Sequence, residues 1–96
     1  MIVQQYVYHA GKKFEFFKIE LFKAPLLLLK GGKGFIMCGY LNIEAADRLG
    51  EAAARVTGVK DLESFLQAKL VEVTKNAESL GLYKGMRVEK ALPFLF

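Results

Sequence analysis

The 96-residue sequence has one cysteine, one histidine, two prolines and no tryptophan. A single cysteine cannot form a disulfide within the chain, and free thiols are typical of the reducing cytoplasm, so we expect a cytoplasmic protein. Cys38 and His9 stand far apart in the sequence and do not make the ligand set of a zinc site, so we expect no metal. The cofactor, if the protein uses one, is unknown at this stage.

Long apolar runs are also missing. The most apolar stretch, PLLLLK at 25–30, is far shorter than the roughly 20 residues that a helix needs to span a bilayer. Residues 1–11 lack the basic start and the clean apolar stretch of a signal peptide. We therefore expect no membrane partner.

Apolar residues are nevertheless abundant, at 53% of the chain with eight phenylalanines. A single domain of this size buries only roughly 60 to 65% of the surface that its unfolded chain exposes. The surplus predicts self-association into a dimer or tetramer. We expect one domain over 1–96, with a β region at 1–33 that forms the oligomer and a β-α-β-α-α core at 34–96.

The net charge of +4 lies in the first third of the chain, because residues 1–34 contain six lysines and two glutamates and the rest is balanced. A basic, aromatic β segment has some character of a nucleic-acid-binding surface. At this density, however, phenylalanine and tyrosine favour a core or a subunit interface, and lysines commonly keep sheet edges soluble. We therefore rank nucleic acid last among the possible partners.

The local patterns predict an α+β fold. Residues 2–9, 13–22, 26–29 and 34–39 read as strands, the first two as a hairpin, and KGGKG at 30–34 reads as a tight turn rather than an anion nest. In the second strand the apolar side changes partway, which predicts a bulge or a change of neighbour. A mixed sheet is expected, because a helix separates the strands at 34–39 and 51–56.

Helix signals dominate the second half. Asn42 is a good N-cap and Gly50 suits the position after the helix end. An apolar stripe then predicts one long helix of about twenty residues from Asp61 to Gly81, although KLVEVT at 69–74 is also compatible with a strand. A short helix at 87–92 is expected to stop at Pro93, with the last three residues docked in a groove.

The junction at 34–50 holds the candidate site. Cys38 follows a strand and precedes a helix N-terminus, where a thiol pKa can be lowered, so it is the candidate nucleophile. A buried cysteine that acts as a small hydrophobe is the alternative. Asn42 and Glu44 at the helix start are candidate ligand-binding residues, although helix capping and charge pairing are the favoured explanation for both.

Arg55 and Thr57 follow the next strand. If the two strands are parallel, both residues end beside the junction, and a composite pocket with Cys38 and Asn42 becomes possible. No spacing rule supports this pocket, so it is a hypothesis from topology alone.

The stretch 34–92 resembles the family called domain of unknown function 1805, which includes YunC-like proteins. The resemblance rests on CGYLNIE at 38–44, LG at 49–50, AAARVTGVK at 52–60, and LGLYKGM with EKAL near the end. It implies an N-terminal β region that mediates tetramer formation, and it implies no reaction, cofactor or catalytic residue.

Three functional hypotheses follow. The first is an oligomeric scaffold or small-molecule-binding protein. The second is an enzyme with Cys38 as nucleophile acting on an anionic substrate, and the third is nucleic-acid binding through the basic first third.

Overall fold

The computed structural model describes all residues, 1–96, as a six-stranded mixed sheet with four helices, which confirms the α+β class. The strands are β1 (Ile2–His9), β2 (Lys12–Ile19), β3 (Leu26–Lys30), β4 (Phe35–Met37), β5 (Ala53–Arg55) and β6 (Glu72–Val73). The helices are α1 (Ile43–Arg48), α2 (Leu62–Gln67), α3 (Lys75–Leu80) and α4 (Val88–Leu95).

The strands lie in sequence order across the sheet. β1 to β4 form an antiparallel meander, β4 and β5 are parallel, and β5 pairs antiparallel with β6. The parallel pair confirms the expected strand–helix–strand unit, with α1 as the connection. It also brings the carboxyl ends of β4 and β5 to the same edge of the sheet, where the candidate site lies.

The two faces of the sheet are covered unequally. The inner face carries the main core, in which Phe16 packs edge-on against Phe65 of α2 with ring centroids 5.7 Å apart. Helices α2, α3 and α4 contribute to this core. The outer face is covered only over β4 and β5, where Met37, Ala46 and Ala53 form a small cluster with α1. The outer side of β1 to β3 has no helix over it.

The bulge expected in β2 is absent. β2 pairs with β1 and with β3 in unbroken register, so its alternation holds throughout: Phe14 and Phe16 point to the core, and Phe17 and Ile19 point to the outer face, where they are only half-buried. The change of apolar side in the sequence therefore reflects a second apolar surface rather than a distorted strand.

The long helix expected from Asp61 to Gly81 is wrong in its middle. Both end signals are confirmed, because Asp61 caps α2 and Gly81 ends α3 with φ 114°. Between them the backbone becomes extended at Ala68, and Val73 pairs with Ala54 in the sheet. The alternative strand in KLVEVT is thus the observed one, because β6 pairs with the free side of β5, whose backbone groups a continuous helix would leave without partners.

The C-terminal helix passes through Pro93 instead of stopping there. Proline removes one backbone donor from the helix, but Leu92 and Leu95 are fully buried and hold the last turn against the core. Burial of Leu95 agrees with the expected docking of the chain end. Phe96 remains 44% exposed and meets Phe14 edge-on, with centroids 6.2 Å apart.

The glycine-rich turn after β3 is explained by this helix end. Gly31 N donates to Gly34 O at 2.8 Å and joins the two ends of the turn, and Lys33 N donates to Leu95 O at 2.7 Å. A side chain at Gly31 would place its Cβ 2.5 Å from Leu95 O. The glycines therefore allow the turn to touch the backbone of α4, and this contact, rather than an anion, accounts for the motif.

Thr74 is the one buried polar residue in the structure, at 1% exposure. Its Oγ1 accepts from Ala53 N at 3.0 Å and Ala77 N at 3.2 Å, and it donates to Glu51 O at 2.8 Å. The Thr74 hydroxyl thus connects three places in the chain: Glu51 just before β5, Ala53 at the start of β5, and Ala77 in the first turn of α3.

We expect Thr74→Val to lower the free energy of unfolding by about 2 kcal/mol, because it leaves buried donors and an acceptor without partners while hardly changing the side chain's volume. Urea unfolding of the variant measures this change. Thr57→Val, at an exposed threonine, is the matched control and should stay within about 0.5 kcal/mol of wild type. Equal effects of the two changes would contradict the assigned role of Thr74.

Candidate functional site

A cleft with a volume of about 270 Å³ opens at the carboxyl ends of the parallel strands β4 and β5. It lies where the sequence placed the candidate pocket. Its lining comes from three connections, after β4, after β5 and before β3: Cys38, Gly39, Tyr40, Thr57, Gly58, Val59, Ala24 and Pro25.

Backbone and side-chain hydrogen bonds fix the walls of the cleft. Cys38 N donates to Leu27 O at 3.1 Å, which extends the pairing of β4 with β3. The Tyr40 hydroxyl donates to Ala24 O at 3.3 Å and ties the connection after β4 to the one before β3. Gly58 has φ 69°, a backbone conformation that favours glycine, and turns the chain after β5.

Cys38 lies at the base of the cleft but is only 4% exposed. Its Sγ accepts a hydrogen bond from Leu27 N at 3.3 Å, and its side chain belongs to the main core. The thiol therefore acts in packing and in holding β3, which are the features of a buried structural cysteine.

His9 lies far from Cys38. His9 is paired with Lys12 at the hairpin end of β1. Cys38 bonds to Leu27, which is in register with Lys18 of β2 and, through it, with Val3 of β1. Along β1, Val3 and His9 are six residues apart, which corresponds to about 20 Å. Within one chain, the histidine cannot act as a base for this thiol.

Arg55 lies beside the cleft, yet its guanidinium is already paired. Its Nε donates to Glu72 Oε1 at 2.6 Å across β5 and β6, and this pair is the only salt bridge in the structure. At Gly39, a Cβ atom would lie 3.6 Å from Arg55 Nη1 and 3.7 Å from Thr57 Cγ2. The structure therefore brings Arg55, Thr57 and Cys38 close to Gly39.

Asn42 and Glu44 are placed elsewhere. Asn42 Oδ1 accepts from Glu44 N at 2.9 Å and from Ala45 N at 3.3 Å, so the side chain caps α1 as the sequence suggested. Both residues are exposed, and neither lines the cleft. The structure thus does not bring these two side chains together with Cys38 and Thr57.

Sequence reasoning missed the wall that Ala24 and Pro25 supply and the groove that continues beyond it. A depression of about 420 Å³ shares these two residues with the cleft and is otherwise lined by Lys18, Glu20, Leu21, Phe22, Lys23, Lys60 and Asp61. The pairing of β2 with β3 positions the connection that brings Pro25 into the same cleft as Val59.

Asp61 is one of the charged groups that line this groove. Hydrogen bonds from Ser64 lower the pKa of the Asp61 carboxyl below its usual value, and the nearby charges of Lys60 and Lys18 add to that effect. The Ser64 N to Asp61 Oδ1 distance is 2.8 Å, part of a capping box at the start of α2. Asp61 is therefore ionised at neutral pH and committed to the helix.

Neither a metal-ligand group nor a membrane-spanning helix is found in the structure. Nowhere do three histidine, cysteine, aspartate or glutamate side chains come together as a possible metal-ligand group. None of the four helices combines the length and the apolar character that crossing a membrane requires.

Comparison with known proteins decides the family. Residues 37–95, well over half of the chain, match the family described as domain of unknown function (DUF1805). The chain belongs to the DUF1805 family. The match begins within β4, so it contains the cleft-forming connections after β4 and β5 and all four helices, and it confirms the resemblance drawn from the sequence.

Two relatives are similar to the chain beyond the residues that match the DUF1805 family. An uncharacterized protein, YunC, from Bacillus subtilis (strain 168) is 34% identical over 86 residues, covering 85% of each chain. The crystal structure of a protein of unknown function, TA1206, from Thermoplasma acidophilum shows 41% identity and a TM-score of 0.96, over 100% of this chain and 94% of that one. The β region at 1–33 is therefore part of the shared fold.

We expect Cys38 to react slowly with a thiol reagent in the folded protein, because its sulfur is buried and hydrogen-bonded. Timed labelling with dithionitrobenzoate, with and without denaturant, measures this difference. Complete labelling within seconds in the folded state would contradict the buried role and restore Cys38 as a candidate nucleophile.

Proposed function

We propose that this DUF1805 protein is a self-associating, small-molecule-binding protein. The observation that carries the proposal is the cleft of about 270 Å³ at the joint carboxyl ends of β4 and β5. Open α/β layers commonly bind ligands at this position, because the strand-end connections leave a crevice with free backbone groups. The single reduced thiol supports a cytoplasmic location.

Binding has more support than catalysis. The cleft offers Thr57, the backbone of Gly39 and Gly58, and the apolar side chains of Pro25 and Val59. A nucleophilic cysteine needs an activating base, and Cys38 has only the Leu27 amide as a polar partner. An enzyme that uses Cys38 stays the alternative that the labelling experiment decides.

Saturation-transfer NMR with a mixture of small, neutral and charged fragments tests binding in the cleft. Fragments should bind wild type, and Gly39→Leu should abolish their signals, because the added side chain would occupy the cleft. Lys84→Leu, at an exposed site in the connection between α3 and α4, is the matched control. Signals that survive Gly39→Leu would place binding elsewhere and refute the proposal.

We infer that self-association uses the outer face of β1 to β3. Its apolar side chains form what we call the outer patch: Ile2, Tyr6, Phe17, Ile19 and Leu28. In the isolated chain Ile2 is 73% and Tyr6 52% exposed, whereas the other three are half-buried. Only Leu28 packs against the small cluster at α1, and burying the rest of the patch would recover the hydrophobic free energy that the isolated chain forgoes.

A second copy of the chain is the occupant that fits this face. The outer face also carries Glu15 between Lys13 and Lys30, so charges of both signs are available to pair across a two-fold axis. β1 forms the sheet edge over eight residues without a proline, lysine or carboxylate. Proteins usually protect such edges unless they pair or are covered.

Light scattering coupled to gel filtration tests this association at micromolar concentration. We expect a mass that is a multiple of 10.8 kDa, corresponding to a dimer or tetramer. A mass of one chain at every concentration up to the solubility limit would refute the assembly part and leave the cleft proposal standing.

A further inference from the structure

The groove beside the cleft adds charge to an otherwise weakly polar site. The two depressions share Ala24 and Pro25, so they adjoin each other on the surface. The cleft is mostly apolar on the side of Pro25 and Val59. The groove is lined by three lysines, Lys18, Lys23 and Lys60.

None of these three lysines forms a salt bridge, since the structure's only ion pair joins Arg55 and Glu72. Two carboxylates, Glu20 and Asp61, share the groove. The Asp61 Oδ1 atom accepts a hydrogen bond from Ser64 N at 2.8 Å at the start of α2. The groove therefore carries three positive and two negative side chains, and its net charge is positive.

Lys18 differs from the other two because it is half-buried on the inner side of β2. Its partial burial limits the range of its ammonium group and reduces the entropy lost when it contacts a ligand. Lys60 directly precedes Asp61 in the connection before α2, and Lys23 lies in the connection before β3. The three ammonium groups thus come from three different segments that border one opening.

We propose that the cleft and groove together bind a small organic anion with an apolar body. The negative group lies among Lys18, Lys23 and Lys60, and the apolar part lies between Pro25, Gly39 and Val59. The inference rests on the proposed binding function of the cleft and specifies the class of ligand. A carboxylate and a phosphate ester share the required chemistry.

Two-dimensional ¹H–¹⁵N NMR titrations with three probes test the inference. Phenyl phosphate carries both features, benzyl alcohol has only the apolar ring, and inorganic phosphate has only the charge. We expect saturable shifts of the Gly39, Gly58 and Lys60 amides with phenyl phosphate. We expect each of the other probes to bind roughly tenfold or more weakly, because each lacks one group of contacts.

Variants locate the charge. The Lys18→Gln, Lys60→Gln double variant should weaken phenyl phosphate binding by roughly tenfold, since it removes two of the three ammonium groups. Lys33→Gln, in the turn after β3 and outside the groove, is the matched control and should bind as wild type does.

The outcomes separate the two proposals. Equal binding of benzyl alcohol and phenyl phosphate, unaffected by the lysine changes, would overturn the anion inference and leave a neutral-ligand cleft. Equal binding of inorganic phosphate and phenyl phosphate would overturn the apolar part of the inference. If no probe shifts the cleft amides, both the inference and the binding function fail.

Discussion

The Ile2→Lys, Phe17→Lys double variant should be a monomer at concentrations where the wild-type chain is an oligomer. Both side chains belong to the outer patch, and Ile2 is 73% exposed in the isolated chain. If a second copy covers this face, each change places a charge in the interface, and a two-fold axis repeats the change in the partner. Burying unpaired charges typically costs several kcal/mol.

The expected loss of affinity is at least a hundredfold, since about 2 to 4 kcal/mol is typical for a central interface residue. Gel filtration with light scattering over a dilution series measures it. Ile2→Lys alone should act in the same direction with little effect on folding, because Ile2 has few contacts within the chain.

Tyr83→Lys is the matched control for this experiment. Tyr83 is 60% exposed but lies in the connection between α3 and α4, away from the outer patch. It should leave the assembly unchanged. If Tyr83→Lys dissociates the oligomer while the outer-patch variants do not, the interface includes the connection between α3 and α4, and our assignment of the outer patch is wrong.

Gly34→Ala should cause the largest loss of stability of any single change considered, about 3 kcal/mol. A methyl group at this position would collide with the Ala52 backbone carbonyl, with Ala52 Cβ at 3.0 Å and with Leu95 Cδ2 at 3.1 Å. The Ala52 carbonyl cannot move aside easily, because it is a backbone group and accepts a hydrogen bond from Phe35 N at 3.0 Å. Removing this steric clash therefore requires a shift of β5 or α4.

Thermal unfolding followed by circular dichroism measures this effect, with an expected fall in Tm of roughly 10 to 20 °C for a domain of this size. Gly39→Ala is the matched control, because the nearest atoms to its added methyl group lie at 3.6 and 3.7 Å, ordinary contact distances. Similar Tm values for the two variants would show that the turn after β3 is not packed as described.

Much of the fold follows from local signals in the sequence. The β1–β2 hairpin, the Asn42 cap, the Asp61 cap and the left-handed Gly81 are each encoded within a few residues, and the structure confirms them. Short-range hydrogen bonding determines these features, so tertiary contacts are not needed to predict them.

The errors occurred where distant contacts decide the structure. The apolar stripe from Leu62 to Leu80 fits one helix by periodicity, yet Val73 pairs with β5 and Thr74 bonds across to Ala53 and Glu51. Pro93 was expected to end a helix, but burial of Leu95 outweighs the lost donor. The residues that pair with Val73 and those that bury Leu95 are distant from them in sequence, so hydrophobic periodicity alone cannot predict these contacts.

The candidate site was predictable only in part. Parallel pairing of β4 with β5 placed Thr57 beside Cys38, as the sequence argument anticipated for parallel strands. The wall formed by Ala24 and Pro25 depends on the position of the β2–β3 connection, and the groove lysines come from segments about forty residues apart. No motif spacing links such residues.

The central claim is that copies of the chain associate through the first three strands, leaving the cleft open. Hydroxyl-radical footprinting of wild type at concentrations above and below its dissociation constant tests it directly, because side-chain labelling reports solvent exposure. In the assembled sample, Ile2 and Tyr6 should lose most of their labelling, whereas Tyr83 and Phe22 should keep theirs. Unchanged labelling at Ile2 and Tyr6, together with protection of Tyr83, would contradict the account.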